Sequence, residues 1–355
     1  MSGISPLSTS DYGSLTTLVA DSASISRKLD QLTEQASTGD VASTYAGLGA
    51  SASVSLDLNP QLANLTTWQN NINAATGDMQ VTQTAMTQIQ SIASDLLGQL
   101  NSLEGADGSA IDTVAATARD QLAQVANLLD SSNGSTYVFA GTDSSNPPVP
   151  NPDSITSSGF YTQIAAAVAN LDTNGASATA AATLAIATSN APGTTPFSST
   201  IGSIPVIQTG NDQMQQLGLL ANANSYVAST GSSTTGSYMR DLMRALATVG
   251  SLSDSQQNDP NLSALIQDTR TSLTGAINAM AEDTGVLGNQ QSALSTESQS
   301  MQQTSTALSA QLSSVQDVDM AQTLSTITQV QTQLQASYQL ISNVSDLSLA
   351  KFLPS

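Results

Sequence analysis

The chain has 355 residues and a formal net charge of −20, with 7 lysines and arginines against 27 aspartates and glutamates. Neutralising phosphate needs clustered cations, so this balance argues against nucleic acid or an anionic membrane as partner. Cysteine and histidine are both absent, which removes disulfides, thiolate nucleophiles, Cys/His zinc sites and histidine bases; no catalytic residue, metal or cofactor is expected.

Aromatic residues make up only 3% of the chain, so Ala, Leu, Val and Ile must supply the burial, which suits slender helical layers better than a compact enzyme. Mean hydropathy is −0.05. Apolar runs stay short of the roughly 20 residues of a membrane span, so no membrane insertion is expected. The opening "MSGISPLSTSDYG" lacks a basic stretch followed by an apolar one, so no cleaved secretory signal is expected.

The first apolar pattern runs Leu15, Leu18, Ser22, Ile25, Leu29, Leu32, Ala36. Its spacing alternates three and four, the period of a helix packing along a seam. "STGD" at residues 37–40 ends it with a glycine at the helix C-cap. The glycines of "VASTYAGLGASASVSLDLNP" predict a loop or irregular extended segment up to Pro60. A second seam then runs from Leu65 through Trp68, Ile72, Ala75, Met79, Thr82, Met86, Ile89, Ala93, Leu96 and Leu100 to Leu103. Nearly forty residues at 1.5 Å each predict a rod of about 55–60 Å, with Trp68, Met79 and Met86 in its core. "EGADGS" breaks it, and a helix carrying Ile111, Val114, Ala118, Leu122, Val125 and Leu129 folds back antiparallel.

Residues 133–237 are rich in Gly, Ser, Thr, Ala and Pro and predict a small mixed, β-rich insert. "STYVFAGTDSSNPP" reads as a strand and turn, with Tyr137 and Phe139 in a domain-junction core, and "GSIPVIQTG" reads as a strand. "YTQIAAAVANL" and "SATAAATLAIA" read as short helices. Helical patterns return at "SYMRDLMRALATVGSL", where Arg240 and Arg244, like Arg270 further on, are expected to form solvated pairs with acids of their own helices. A long helix follows Pro260, with a break at Gly285 and Gly288, through Leu294, Met301, Leu308, Leu312 and Val315. Asp317 and Asp319 are expected to serve the start of the last helix, one as cap and both through its dipole. That helix carries Met320, Leu324, Ile327, Gln331, Leu334, Tyr338, Ile341 and Ser345 at alternating four and three.

The expected architecture is mainly α: an antiparallel helical rod and coiled coil built from both termini around a central β-rich insert. The segments are a terminal coiled-coil helix (1–45), rod (46–132), insert (133–237), rod (238–316) and terminal coiled-coil helix (317–355). The outer faces of the terminal helices are Gln, Ser, Thr and Asn, weak helix formers without supporting ion pairs, so these helices depend on packing. Val19 beside Leu18, Val330 beside Gln331, and Val344 with Leu347 and Leu349 make the stripe wider than a two-helix seam uses, which points to contacts with other copies. The candidate packing residues are Leu15, Leu18, Ile25, Leu29, Leu32, Leu324, Ile327, Leu334, Tyr338, Ile341, Leu347, Leu349 and Phe352.

Three stretches resemble the bacterial flagellins and, more closely, their hook-associated relatives at the hook–filament junction. "ISRKLDQLTEQASTGD" resembles the family's N-terminal helix and its Ser-Thr-Gly turn. "LLDSSNGSTYVFAGTDSSNPPV" is similar to the junction proteins' segment leaving the rod, here Tyr137, Phe139, Gly141 and Thr142. "DVDMAQTLSTITQVQTQLQASYQLISNVSDLSLAKFL" resembles the C-terminal helix, with its Asp-x-Asp start and Leu-Ser-Leu end. The chain departs from the family's Gly-Lys-Arg turn, carrying "TGD" instead. The resemblance implies a secreted structural subunit of the flagellum, exported through the flagellar type III channel without a cleaved signal, with an export chaperone. Its implied partners are copies of itself and other axial proteins, both hook-associated proteins and flagellin. A filament flagellin is the alternative within the family; an enzyme housed in the insert, or a coiled-coil signalling rod, are the readings outside it.

Overall fold

The computed structural model describes the backbone of residues 9–231 and 233–350, and the side chains of 16–231 and 233–344. The chain divides into two compact units, a terminal unit of residues 1–64 and 303–355 and a rod unit of residues 65–302.

In the terminal unit, helix α1 (Thr9–Thr38) ends at Gly39, whose φ of +83° is the left-handed C-cap that the Ser-Thr-Gly turn predicts. The last helix lies antiparallel to it, and a short bridge ties their adjoining ends. Val41 N–H donates to the Gln316 carbonyl at 2.7 Å, and Val318 N–H to that of Gly39 at 2.9 Å. The segment expected to be a loop up to Pro60 is largely helical instead. It holds α2 (Tyr45–Leu48), a 3-10 turn at Gly49–Ser51, and the first turns of α3 (Ala52–Ser102). Thr44 caps α2 with its side chain. Pro60 lies inside α3. It has no N–H for the carbonyl four residues back, but Pro60 and Leu56 are both exposed, where water can take that carbonyl.

In the rod unit, α3 buries Leu65, Ile72, Ala75, Met79, Thr82, Met86, Ile89, Ala93, Leu96 and Leu100, followed by Leu103; Trp68 is half-buried. After the turn, the Asp107 side chain caps α4 (Gly108–Leu129) through Ala110 N–H at 2.8 Å. The insert mixes short strands with helices. Hairpin β1 (Ser132–Asn133) and β2 (Thr136–Tyr137) precedes α5 (Gly159–Ala169), α6 (Leu171–Asn174) and α7 (Ala176–Thr188), and a second antiparallel hairpin, β3 (Val206–Gly210) with β4 (Gln213–Gln216), follows. Phe139 is fully buried and its carbonyl accepts from Ala221 N–H at 3.0 Å.

Helix α8 (Tyr238–Gly250) is buried at every residue and packs on α4, α5 and α7. Its Gly250 carbonyl, which lacks an intrahelical donor, accepts from Arg119 of α4 and Tyr161 of α5, both at 2.6 Å. Helix α9 (Leu262–Gln316) runs unbroken through Gly285 and Gly288, where a break was expected. Two glycines cost about 1 kcal/mol each relative to alanine, and buried Leu287 and Leu294 on the same helix outweigh that. Within this unit α9 lies beside α3, joined by Gln90 to Thr284 at 3.0 Å and Gln69 to Gln302 at 3.3 Å.

The arginines also depart from expectation. Arg240 and Arg244 are buried, and the ion pairs join elements rather than turns of one helix: Arg244–Asp268 at 3.8 Å and Arg270–Glu104 at 3.1 Å. Arg240 instead donates to the carbonyls of Asn222 (2.9 Å) and Ala187 (2.9 Å) and to Asn190 Oδ1 (2.6 Å), above the ring of Phe197. Its fork reaches the carbonyls at the C-terminal end of α7, where the helix dipole favours a cation. Burial lowers the pKa of both guanidinium groups.

Candidate assembly interface

The last helix, α10 (Met320–Ala350), starts where Asp319 accepts from the backbone N–H groups of Ala321 (2.9 Å) and Gln322 (3.1 Å). A carboxylate there satisfies orphan donors and faces the positive end of the helix dipole. Asp317 instead accepts from the Ser313 hydroxyl at the end of α9.

Helix α1 packs on α10. On α1, Leu18, Ile25, Leu29 and Leu32 are all half-buried, and Ser22 in their midst is buried, its hydroxyl without a hydrogen-bond partner among the described residues. On α10, Ile327, Leu334 and Ile341 are half-buried, while the fully covered positions are Thr323 and Val330. Leu324 and Tyr338, from the same apolar pattern, are 52% and 56% exposed. Leu15, Leu347, Leu349 and Phe352 lie outside the described side chains.

At 100° per residue, Met320, Leu324 and Tyr338 share one flank of the α1–α10 seam, and Leu340 lies on the other. All four are exposed, as is Val19 on α1. Tyr45 and Leu56 add two more large exposed apolar side chains to the same unit. Glycine-rich sequence around residues 45–56 hid these two, and the only signal that could have found them was helical spacing carried through Pro60.

Of the nine large apolar side chains left exposed among the described residues, seven thus belong to the terminal unit; the other two are Val206 and Met214. The same unit covers only two apolar side chains, Leu58 and Val330, among its described residues. Its remaining covered positions are Ser22, Ser55 and Thr323, with Ser55 accepting from Gln316 at 2.6 Å. A helix pair with small hydroxyl residues inside and leucine and tyrosine outside offers an apolar surface to whatever approaches it. Among the described residues, no helix is long and apolar enough to cross a membrane.

Two family models match the chain and together span more than half of it. The model of the bacterial flagellin N-terminal helical region matches residues 13–144, and that of the bacterial flagellin C-terminal helical region matches residues 271–353. No curated protein sequence matches it. Among solved structures, a protein from Vibrio parahaemolyticus assigned as a flagellar hook-associated protein aligns over 75% of this chain and 97% of its own, with 9% identity and a TM-score of 0.49.

Proposed function

The chain belongs to the bacterial flagellin family of flagellar structural subunits, and from that premise we propose that it is the hook-associated member joining hook to filament. Members of the family self-assemble and associate with other axial proteins of the flagellum, and the family is structural rather than enzymatic. In the proposed mechanism, the terminal helices of neighbouring copies interlock through Leu18, Ile25, Leu29, Leu32, Leu324, Ile327, Leu334, Tyr338 and Ile341, with Leu15, Leu347, Leu349 and Phe352 extending the seam. The observation that carries this reading is the contrast within the terminal unit between seven exposed large apolar side chains and two covered ones. Hook-associated proteins and flagellin are the proposed neighbours. Delivery by an export chaperone and passage through the flagellar type III channel without a cleaved signal belong to the same proposal.

Two sequence features favour the junction: the segment Tyr137–Thr142 leaving the rod, and the short helix α8 ahead of α9. A filament subunit is the second reading, favoured by the match to two models of flagellin itself. Deleting the gene is expected to leave hooks without filaments, and immunogold labelling is expected at the hook–filament boundary alone. Label along whole filaments, or long filaments grown from purified chain on seeds, would establish the filament subunit instead. Replacing Leu324 and Tyr338 together by serine is expected to lower the stability of the single chain by about 2 kcal/mol, leaving it folded, while abolishing incorporation. Undiminished incorporation would remove α10's exposed flank from the mechanism.

A further inference from the structure

The sequence holds two Asn-Gly pairs, Asn133-Gly134 and Asn174-Gly175. In such a pair no Cβ hinders the glycine nitrogen as it approaches the side-chain amide carbon of the asparagine, and the attack is intramolecular. Both asparagines are exposed, but the fold treats the two glycine nitrogens differently. Gly175 caps α6, and its N–H donates to the Leu171 carbonyl at 2.9 Å. That nitrogen is engaged, and Asn174 is the last residue of the helix. Gly134 stands at the tip of hairpin β1–β2, where Asn133 pairs with Thr136. Its φ is +62°, the left-handed conformation that a two-residue turn demands, and its N–H meets no acceptor among the described residues.

The Asn133 side chain reaches across to α3. Its amide donates to the Asp78 carboxylate at 2.9 Å. Gly77 leaves the room for this approach, since a Cβ there would stand 3.1 Å from Asn133 Nδ2. The bond clips an exposed tip whose two-residue ladder is marginal by itself. Beyond the tip the chain is fixed: Val138 N–H donates to the Ser131 carbonyl at 3.1 Å, and Tyr137 N–H to that of Ser144 at 2.8 Å. Opening is therefore confined to the turn that carries the Asn-Gly pair.

We propose that Asn133 is a site of spontaneous deamidation, with water as the co-reactant, and that the carboxylate so formed releases the hairpin tip from Asp78. The Gly134 nitrogen gives its proton to solvent and attacks Asn133 Cγ. The new C–N bond closes a succinimide ring. The bond from Cγ to Nδ2 breaks, and that nitrogen takes up a proton and leaves as ammonia. Water then opens the ring. Addition at Cγ gives aspartate; addition at the backbone carbonyl gives isoaspartate, which places a methylene in the main chain and disturbs the register with Thr136. In either product a carboxylate replaces the amide donor, so two acceptors of like charge face each other where a hydrogen bond stood. The inference is independent of the proposed function and of any contact between copies.

Full-length chain is incubated in mildly alkaline buffer, folded and in urea, and conversion at each asparagine is followed by peptide mass spectrometry. In the folded chain Asn133 is expected to convert at least about ten-fold faster than Asn174, where ring closure must first open the end of α6. In urea the two rates are expected to converge. No conversion at Asn133 in the folded chain, or a rate there equal to or below that of Asn174, would overturn the modification site. The consequence is read by hydrogen exchange. Asn133→Asp is expected to raise exchange across residues 132–137 above wild type. Adding Asp78→Asn is expected to restore protection, because donor and acceptor have then changed places. Wild-type exchange in the single variant, or no recovery in the double variant, would overturn the release from Asp78.

Discussion

Replacing Asp283 by asparagine tests how the rod unit is fastened. Asp283 lies fully buried on α9, in line with Met280 and Leu287. Its carboxylate accepts four donors: the backbone N–H groups of Ser225 (3.1 Å), Tyr226 (3.1 Å) and Val227 (2.9 Å), and the Tyr238 hydroxyl (2.9 Å). Residues 225–227 thereby bind to the helix, and Tyr238 at the start of α8 is tied to the same group. Asparagine keeps one acceptor oxygen for Tyr226 and Val227, and the Tyr238 hydroxyl can turn to accept from the new amide. The Ser225 N–H then faces another donor, and the charge assistance of the remaining bonds is gone. At 1.5–3 kcal/mol for a bond to a charged group and 1–3 for a stranded donor, the loss is about 2–4 kcal/mol. For a unit of this size that lowers the melting temperature by roughly 5–15 °C. Circular dichroism melts read the shift, and limited proteolysis is expected to cut first between residues 222 and 237. A shift below about 2 °C, or first cleavage elsewhere, would show that the carboxylate does not hold this segment.

Asp130 ends α4 and accepts from Val149 N–H at 2.8 Å, yet desolvation raises its pKa to about 6. A carboxyl whose pKa rises on folding stabilises the fold most below about pH 4, and that contribution is lost as pH climbs through 6. The upper bound is about 3 kcal/mol, and partial exposure reduces it to about 1. Asp130→Asn keeps the acceptor, so its melting temperature should exceed wild type at pH 7.5 and match it near pH 4; equal melts at both pH values would refute this. Arg240→Lys loses the planar fork that spans Asn222, Ala187 and Asn190, and should lower the urea midpoint by the equivalent of about 2–3 kcal/mol; an unchanged midpoint would mean that these bonds are dispensable.

The rod was the most legible part of the sequence because its seam is long and has one partner side. Every position that the three-and-four spacing names from Leu65 to Leu100 is buried on α3, apart from half-buried Trp68, and the spacing misses only the flanking Ala85 and Ile92. The Ser-Thr-Gly turn at Gly39 and the Asp319 cap were equally readable, since each is a local backbone requirement met by a particular residue type. Breakers were read less well. Pro60, Gly285 and Gly288 all signal interruption locally; packing of α9 overrides the two glycines, and at Pro60 the unpaired carbonyl lies where water can reach it. Buried polar anchors left no signal at all. Arg240, Asp241, Arg244 and Asp283 are charged residues in amphipathic helices, and only the fold reveals that loops come back to cover them.

The phase of the terminal seam was the hardest feature to read, for a reason that bears on function. Along α10 the apolar pattern runs through Leu324 and Tyr338, while the fold covers Thr323 and Val330, each six to eight positions from the large exposed residues' own repeat or directly beside it. When apolar residues occupy two neighbouring stripes, hydrophobicity alone cannot say which stripe faces α1. A helix dedicated to one partner has no use for the second stripe. Burying a leucine fully is worth about 1.5–3 kcal/mol, and Leu324, Tyr338 and Leu340 each leave about half of their surface in water. The stabilisation withheld from the single chain is therefore about 2–4 kcal/mol, a sizeable fraction of the roughly 5–15 kcal/mol net stability of a domain. It becomes available only when a second apolar surface covers that flank. Ambiguity of phase in the sequence and incomplete burial in the single chain have one physical origin: these helices carry apolar surface for more neighbours than their own fold supplies.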